Sequence, residues 1–134
     1  MDTAATRVLL VDDEPSLLKL VSAYLGRLGY AVTTANTTEK AWAEVESSLA
    51  GTNSVYAVAV LDATMPGLPM RELAERMLKA CGSLRILTSS GYPVDIGALE
   101  KAAPGRVAFL HKPFTPEMLA AAVRRMLAPQ KENV

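Results

Sequence analysis

The sequence predicts an α/β protein built on a doubly wound parallel sheet of five strands. Three observations carry that expectation. Short apolar runs, too short for helices, alternate with stretches of 3.6-residue apolar spacing. Four of these runs end abruptly on polar groups: Asp12 and Asp13 after Val8 to Val11, Asp62 after Val58 to Leu61, Ser89 and Ser90 after Ile86 and Leu87, and Lys112 after Val107 to Leu110. The chain has 134 residues, half of them hydrophobic, which is enough for one core and leaves no room for a second domain.

Taken in order, Met1 to Thr6 is a polar, flexible start, and RVLLV at Arg7 to Val11 is a strand buried on both faces. Pro15 suits a first helical turn because its missing N–H would be unpaired there. Leu17, Leu18, Val21, Leu25 and Leu28 form one helical stripe until Gly29 stops it. Tyr30 to Ala35 is the second strand. Thr37 or Thr38 caps a helix whose inner face carries Ala41, Trp42, Val45 and Leu49, and Ala50 to Ser54 is the loop that ends it. The third strand is Ala57 to Leu61, followed by Asp62. After the loop Ala63 to Pro69, Leu73, Met77 and Leu78 resume helical spacing, with Pro69 in or near the first turn. Ile86 and Leu87 lead the fourth strand into Ser89, Ser90 and Gly91, and a weakly patterned helix surrounds Ile96 and Leu99. Val107 to Leu110 is the fifth strand. Thr115, Pro116 and Glu117 start the last helix over Met118, Leu119, Ala122, Val123, Met126 and Leu127, and Pro129 ends it. Strand and helix alternate throughout, so right-handed crossovers give a parallel sheet with helices on both faces.

Composition excludes several function classes. Fourteen basic residues balance fourteen acidic ones without a basic block, so no nucleic-acid face is expected. Cys81, the single cysteine, reads as a small buried residue in a helical pattern, and His111, the single histidine, as a structural or solvated strand-end residue. Trp42 and the methionines read as packing residues. With no signal core and no apolar run of about 18 residues, the protein is expected to be soluble and cytoplasmic, with no membrane partner.

Open α/β sheets bind ligands at the C-terminal ends of their strands, so Asp12, Asp13, Asp62, the serines and Lys112 should meet at one mouth. Two carboxylates about 5 Å apart repel by roughly 3 kcal/mol at an effective dielectric near 20. A divalent cation, raised pKa values or exposure to water could each offset that. Hard oxygen donors, with too few His or Cys for zinc, favour Mg²⁺. Metal, carboxylates and lysine together suit phosphoryl transfer. Three carboxylates against Mg²⁺ and Lys112 leave the pocket near neutral before an anionic group arrives. A carboxylate there can act as the nucleophile and form an acyl phosphate.

These residues resemble the receiver domains of two-component response regulators, including those fused to hybrid histidine kinases. The carriers are RVLLVDDEP (Arg7 to Pro15), VLDATMPG (Val60 to Gly67), SSGYP (Ser89 to Pro93) and FLHKPF (Phe109 to Phe114). The resemblance implies a flavodoxin-like (βα)5 fold with strand order 2-1-3-4-5, a receiver domain over residues 7–128 and a polar tail at 129–134. It makes Asp62 the phospho-acceptor. Asp13, Asp62 and the Thr64 carbonyl become Mg²⁺ ligands, with Asp12 acting through metal-bound water. Lys112 becomes the partner of the phosphoryl group, Ser90 the switch hydroxyl with Ser89 as the fallback, and Phe109 the switch aromatic. It also suggests a cis Lys112–Pro113 bond, although X–Pro bonds in general favour trans. Thr64 and Tyr92 flank the expected pocket.

The implied function is a phospho-accepting switch charged from phosphohistidine on a sensor kinase or phosphotransfer protein. Such a switch catalyses only its own phosphorylation and dephosphorylation, and signals to a downstream protein. Since the tail after Leu127 is short, output is expected through a partner, or the chain is a piece of a larger hybrid kinase. Pro69 and Met70 stand where many receivers carry an acidic residue and glycine, and Phe109 lacks the hydroxyl of the commoner tyrosine. Those departures motivate the alternative of a phosphorylation-independent binding module. A metal-dependent phosphatase is disfavoured, because Thr64 stands where a second acid would be needed.

Overall fold

The computed structural model describes residues 5–51 and 55–128; the expected fraying at 1–4, the loop residues 52–54 and the tail with Pro129 lie outside the described residues. The elements run β1 (Arg7–Val11), α1 (Pro15–Arg27), β2 (Ala31–Ala35), α2 (Thr38–Ala50), β3 (Val58–Asp62), α3 (Met70–Ala80), β4 (Arg85–Ser90), α4 (Gly97–Ala102), β5 (Val107–His111) and α5 (Pro116–Leu127). All strand pairs are parallel, in the order β2-β1-β3-β4-β5. This is the flavodoxin-like order, and it places β3 in the middle.

Strand alternation sorts the apolar residues into two layers. Leu9, Val11, Ala59, Leu61, Ile86 and Val107 face α2, α3 and α4, which contribute residues such as Val45, Leu73, Met77 and Leu99. Val8, Leu10, Val58, Val60 and Leu87 face α1 and α5, met by Leu18, Val21, Leu25, Leu119 and Val123. With both faces covered, the central strands are apolar throughout, as short unbroken runs require.

The boundaries differ from the sequence expectation where backbone pairing extends an element. Asp62 is the last residue of β3 rather than the first of a loop, because it pairs in register with Ser89. Ser89 and Ser90 both belong to β4, since Ser90 pairs with His111, and His111 thereby joins β5. Tyr30 falls outside β2 because its N–H returns to Leu25 O and closes α1, aided by Gly29 at φ 101°. Thr6 is not loose at its carbonyl, which accepts the Ala31 N–H at 2.9 Å.

On the helices, Thr37 and Thr115 cap α2 and α5 as expected, accepting from Lys40 N and Met118 N. Pro69 is the N-cap of α3, next to its first turn as expected, and Met70 turns into the core. Three stripe positions are corrected: Leu28, Leu49 and Met118 are exposed, and Ser48 takes the buried place on α2 by bonding Val45 O. Each lies at the margin of an apolar arc narrower than the sequence pattern implies. Cys81 is buried as expected but lies one residue beyond α3, in extended backbone. Burial pushes its thiol pKa up, against the nearby positive charge of Arg106. Arg106 itself closes this corner, donating to Leu84 O at 2.9 Å, Leu78 O at 3.3 Å and Cys81 O.

Candidate functional site

The site grows from the register of three strands. Val11 of β1 pairs with Leu61 of β3, so the next residues, Asp12 and Asp62, stand side by side at the sheet's C-terminal edge. Ser89 continues the row on β4. Alternation from Leu10, Val60 and Leu87 directs all three side chains to the α1/α5 face. Asp12, Asp13 and Asp62 each bring a carboxylate oxygen within 4.8 Å of the others; Asp12 and Asp62 are buried and Asp13 is exposed.

Lys112 enters from β5 and reaches both buried acids, 2.8 Å from Asp12 Oδ2 and 3.4 Å from Asp62 Oδ2. Partial burial pulls its ammonium pKa down, but the hydrogen bond and charge of Asp12, with those of Asp62, outweigh this and leave it raised. The lysine therefore stays charged at neutral pH and holds two buried anions. Asp12 Oδ1 also accepts the Glu14 N–H at 3.0 Å, which leaves neither Asp12 oxygen bare. Asp62 Oδ1 accepts both the Thr64 N–H at 3.0 Å and the Thr64 hydroxyl at 2.9 Å. Its Oδ2 meets only the longer lysine contact among the hydrogen bonds of the described residues, and so keeps acceptor capacity.

Ser90 is buried at the end of β4, and its Oγ accepts the Tyr92 N–H at 3.0 Å instead of touching the acids. By alternation it faces the α3/α4 side, as does Phe109, whose strand neighbour is Thr88. Phe109 is half-buried and its ring centroid lies 6.0 Å from that of His111, which is exposed. Tyr92 is also exposed, beside a groove lined by Glu14, Leu17, Lys112, Pro113 and Phe114. The Lys112–Pro113 bond is cis. The structure thus brings Asp12, Asp13, Asp62, Thr64 and Lys112 together, and holds Ser90 and Phe109 on the other face of the same strand ends.

One contributor escaped the sequence reading. Glu39, on the first turn of α2, accepts the Leu68 N–H at 3.2 Å and so ties down the loop that follows Asp62. Its carboxylate is held below the usual range by hydrogen bonds from backbone N–H groups, its own and that of Leu68, against a small opposing effect of burial. Gly67 passes this carboxylate at φ 93°, where an added Cβ would lie 2.7 Å from Glu39 Oε2. Glycine answers both demands there.

A family model described as the response regulator receiver domain matches residues 8–124. The chain belongs to that family. Among solved structures similar to this receiver domain is the chemotaxis response regulator CheY4 of Vibrio cholerae, at 29% identity and a TM-score of 0.75, covering 92% of this chain and 100% of that one. Another is the response regulator TrrA of Thermotoga maritima in complex with Mg²⁺–BeF, at 28% identity and a TM-score of 0.73, covering 91% and 99%. The transcriptional activator ExaE of Pseudomonas putida is 31% identical over 124 residues, which are 90% of this chain and 55% of ExaE. The chain therefore spans about half the length of that curated relative.

The receiver's acids suit a hard cation. All the donors are oxygens, which fits a hard divalent cation such as Mg²⁺. Asp13 and Asp62 would be free to hold such an ion directly, whereas Asp12 is already engaged by Glu14 and Lys112. No helix among the described residues is long and apolar enough to cross a membrane.

Proposed function

We propose that this receiver is a phospho-accepting switch in which Asp62 takes a phosphoryl group from a phosphohistidine of a sensor kinase or phosphotransfer protein. The observation that carries this reading is the buried Asp62 carboxylate, 3.4 Å from the Lys112 ammonium and within 4.8 Å of Asp12 and Asp13. An Asp62 oxygen attacks phosphorus as the P–N bond breaks. The imidazole leaves with the electron pair and takes up a proton, and water later attacks the acyl phosphate to return carboxylate and inorganic phosphate. Mg²⁺, when bound to Asp13, Asp62 and the Thr64 carbonyl, supplies positive charge to the transferring oxygens.

Lys112 moves its ammonium toward the phosphoryl group as the Asp62 carboxylate becomes an acyl phosphate. Ser90 releases the Tyr92 N–H and donates to a phosphoryl oxygen, and the half-buried Phe109 ring turns further inward. The domain acts on itself and turns over no metabolite. It makes no nucleic-acid contact of its own, and whatever output accompanies it comes from a partner or from further chain, as the name of ExaE illustrates for a longer protein. Incubation with Mg²⁺ and acetyl phosphate adds one phosphate to the intact mass, and Asp62→Asn abolishes it. Equal labelling of that variant would sink the reading.

A further inference from the structure

Ser89 is the member of the acidic row that has no partner. Among the described residues, its Oγ and one oxygen of Glu100 are the buried side-chain polar atoms without a hydrogen bond, and Ser89 is 1% exposed. The Glu100 side chain is anchored through its other oxygen to the Gly105 N–H, away from the strand ends. Ser89 has no such anchor. An orphaned hydroxyl is destabilising, and an apolar residue would fill a buried strand position without that penalty.

Its place is informative. Ser89 pairs with Asp62 in register and follows Leu87 by two residues, so its hydroxymethyl group and the Asp62 carboxylate share the α1/α5 face. Lys112 directly follows β5, beyond β4, yet its Nζ contacts Asp62 on β3 and Asp12 next to it. The lysine side chain therefore reaches past the end of β4, where Ser89 pairs with Asp62.

We propose that Ser89 is a positioning residue of the phosphoryl site. Its hydroxyl, unpaired here, donates to the Asp62 side-chain oxygen that Lys112 leaves when a phosphoryl group arrives. This rests on the reading of Asp62 as the acceptor. A phosphoryl group brings charged oxygens that compete for the ammonium. Provided phosphorus bonds the other carboxylate oxygen, the Asp62 oxygen that Lys112 contacted keeps a lone pair without its former donor, and the adjacent serine supplies one by a rotation about χ1 between staggered wells. Ser89 and Ser90 thus divide the work by face: Ser90 with Phe109 toward α4, Ser89 with Lys112 toward α1 and α5.

The test compares wild type, Ser89→Ala and Ser89→Thr by thermal melting without ligand and by titration with beryllofluoride in the presence of Mg²⁺. Without ligand, Ser89→Ala melts at the wild-type temperature or above it, because an orphaned hydroxyl is gone. With ligand, its affinity for beryllofluoride falls about five-fold, the worth of one ordinary hydrogen bond, and Ser89→Thr recovers most of it. A packing role would lower stability in both states alike. Unchanged beryllofluoride affinity in Ser89→Ala, or parallel losses with and without ligand, would overturn the inference while leaving Asp62 as the acceptor. Failure of the wild type itself to bind beryllofluoride or take up phosphate would overturn both.

Discussion

Lys112 is held by two carboxylates whose side chains are at most 4% exposed, so its loss leaves buried charge uncompensated. Lys112→Met is expected to lower the unfolding free energy by about 2 kcal/mol, read from urea titration. Its pKa is raised in the folded state, so the contribution is fully present below the unfolded pKa and lost as pH rises through the folded one. Wild type and Lys112→Met should therefore converge in stability only above about pH 10.5. Asp13 is the exposed member of the acidic group. Asp13→Asn should stabilise the domain in chelator by about 1 kcal/mol, through relief of like-charge repulsion, and should abolish any gain from added Mg²⁺. These residues were legible because a charge ending an apolar run stands out in sequence. Glu39 was not, since an acid on a first helical turn is what most helices carry, and nothing local reveals its bond to Leu68. Resemblance chose Ser90 over Ser89 as the switch hydroxyl, but said nothing of a separate place for Ser89. Both are hydroxyls, and only the register shows that they face opposite layers.

At the scale of elements, β4 and α3 show how pairing and capping set boundaries that composition leaves open. The polar residues Thr88, Ser89 and Ser90 end the apolar run, yet ladder bonds to β3 and β5 carry the strand through them. The end of α3 depends on Arg106, distant in sequence, whose guanidinium serves carbonyls at Leu78, Cys81 and Leu84. Arg106→Ala should cost about 2–3 kcal/mol in urea unfolding, since charged hydrogen bonds to buried carbonyls are lost together. The loop after Asp62 is tied by Glu39, and Glu39→Gln should speed hydrogen exchange at the Leu68 amide. Because the Glu39 pKa is lowered, its hold is fully present above the ordinary carboxylate pKa and is lost as pH falls through the lowered folded value. The apolar stripes of α1, α2 and α5 were readable in outline, and their errors at Leu28, Leu49 and Met118 fall at stripe margins, where burial depends on the partner surface.

For the whole molecule, the alternation of strand and helix revealed the layers, but the strand order came through family resemblance, because sheet neighbours are distant in sequence and leave no local mark. A ligand bound only by the folded state stabilises all of it. Mg²⁺ with beryllofluoride at 100 times its dissociation constant should raise the unfolding free energy by about 2.7 kcal/mol in wild type and by nothing in Asp62→Asn. Asp62 ends the middle strand of the sheet, and its neighbour Ala63 donates to Ser89 O at 2.8 Å. Hydrogen exchange at amides along β3 is then expected only through opening of the entire domain. The proposed phospho-acceptor would thus be mounted on the part of the fold expected to exchange slowest, so that its phosphorylation would leave its own backbone stationary and the message would depart through side chains and the loops above.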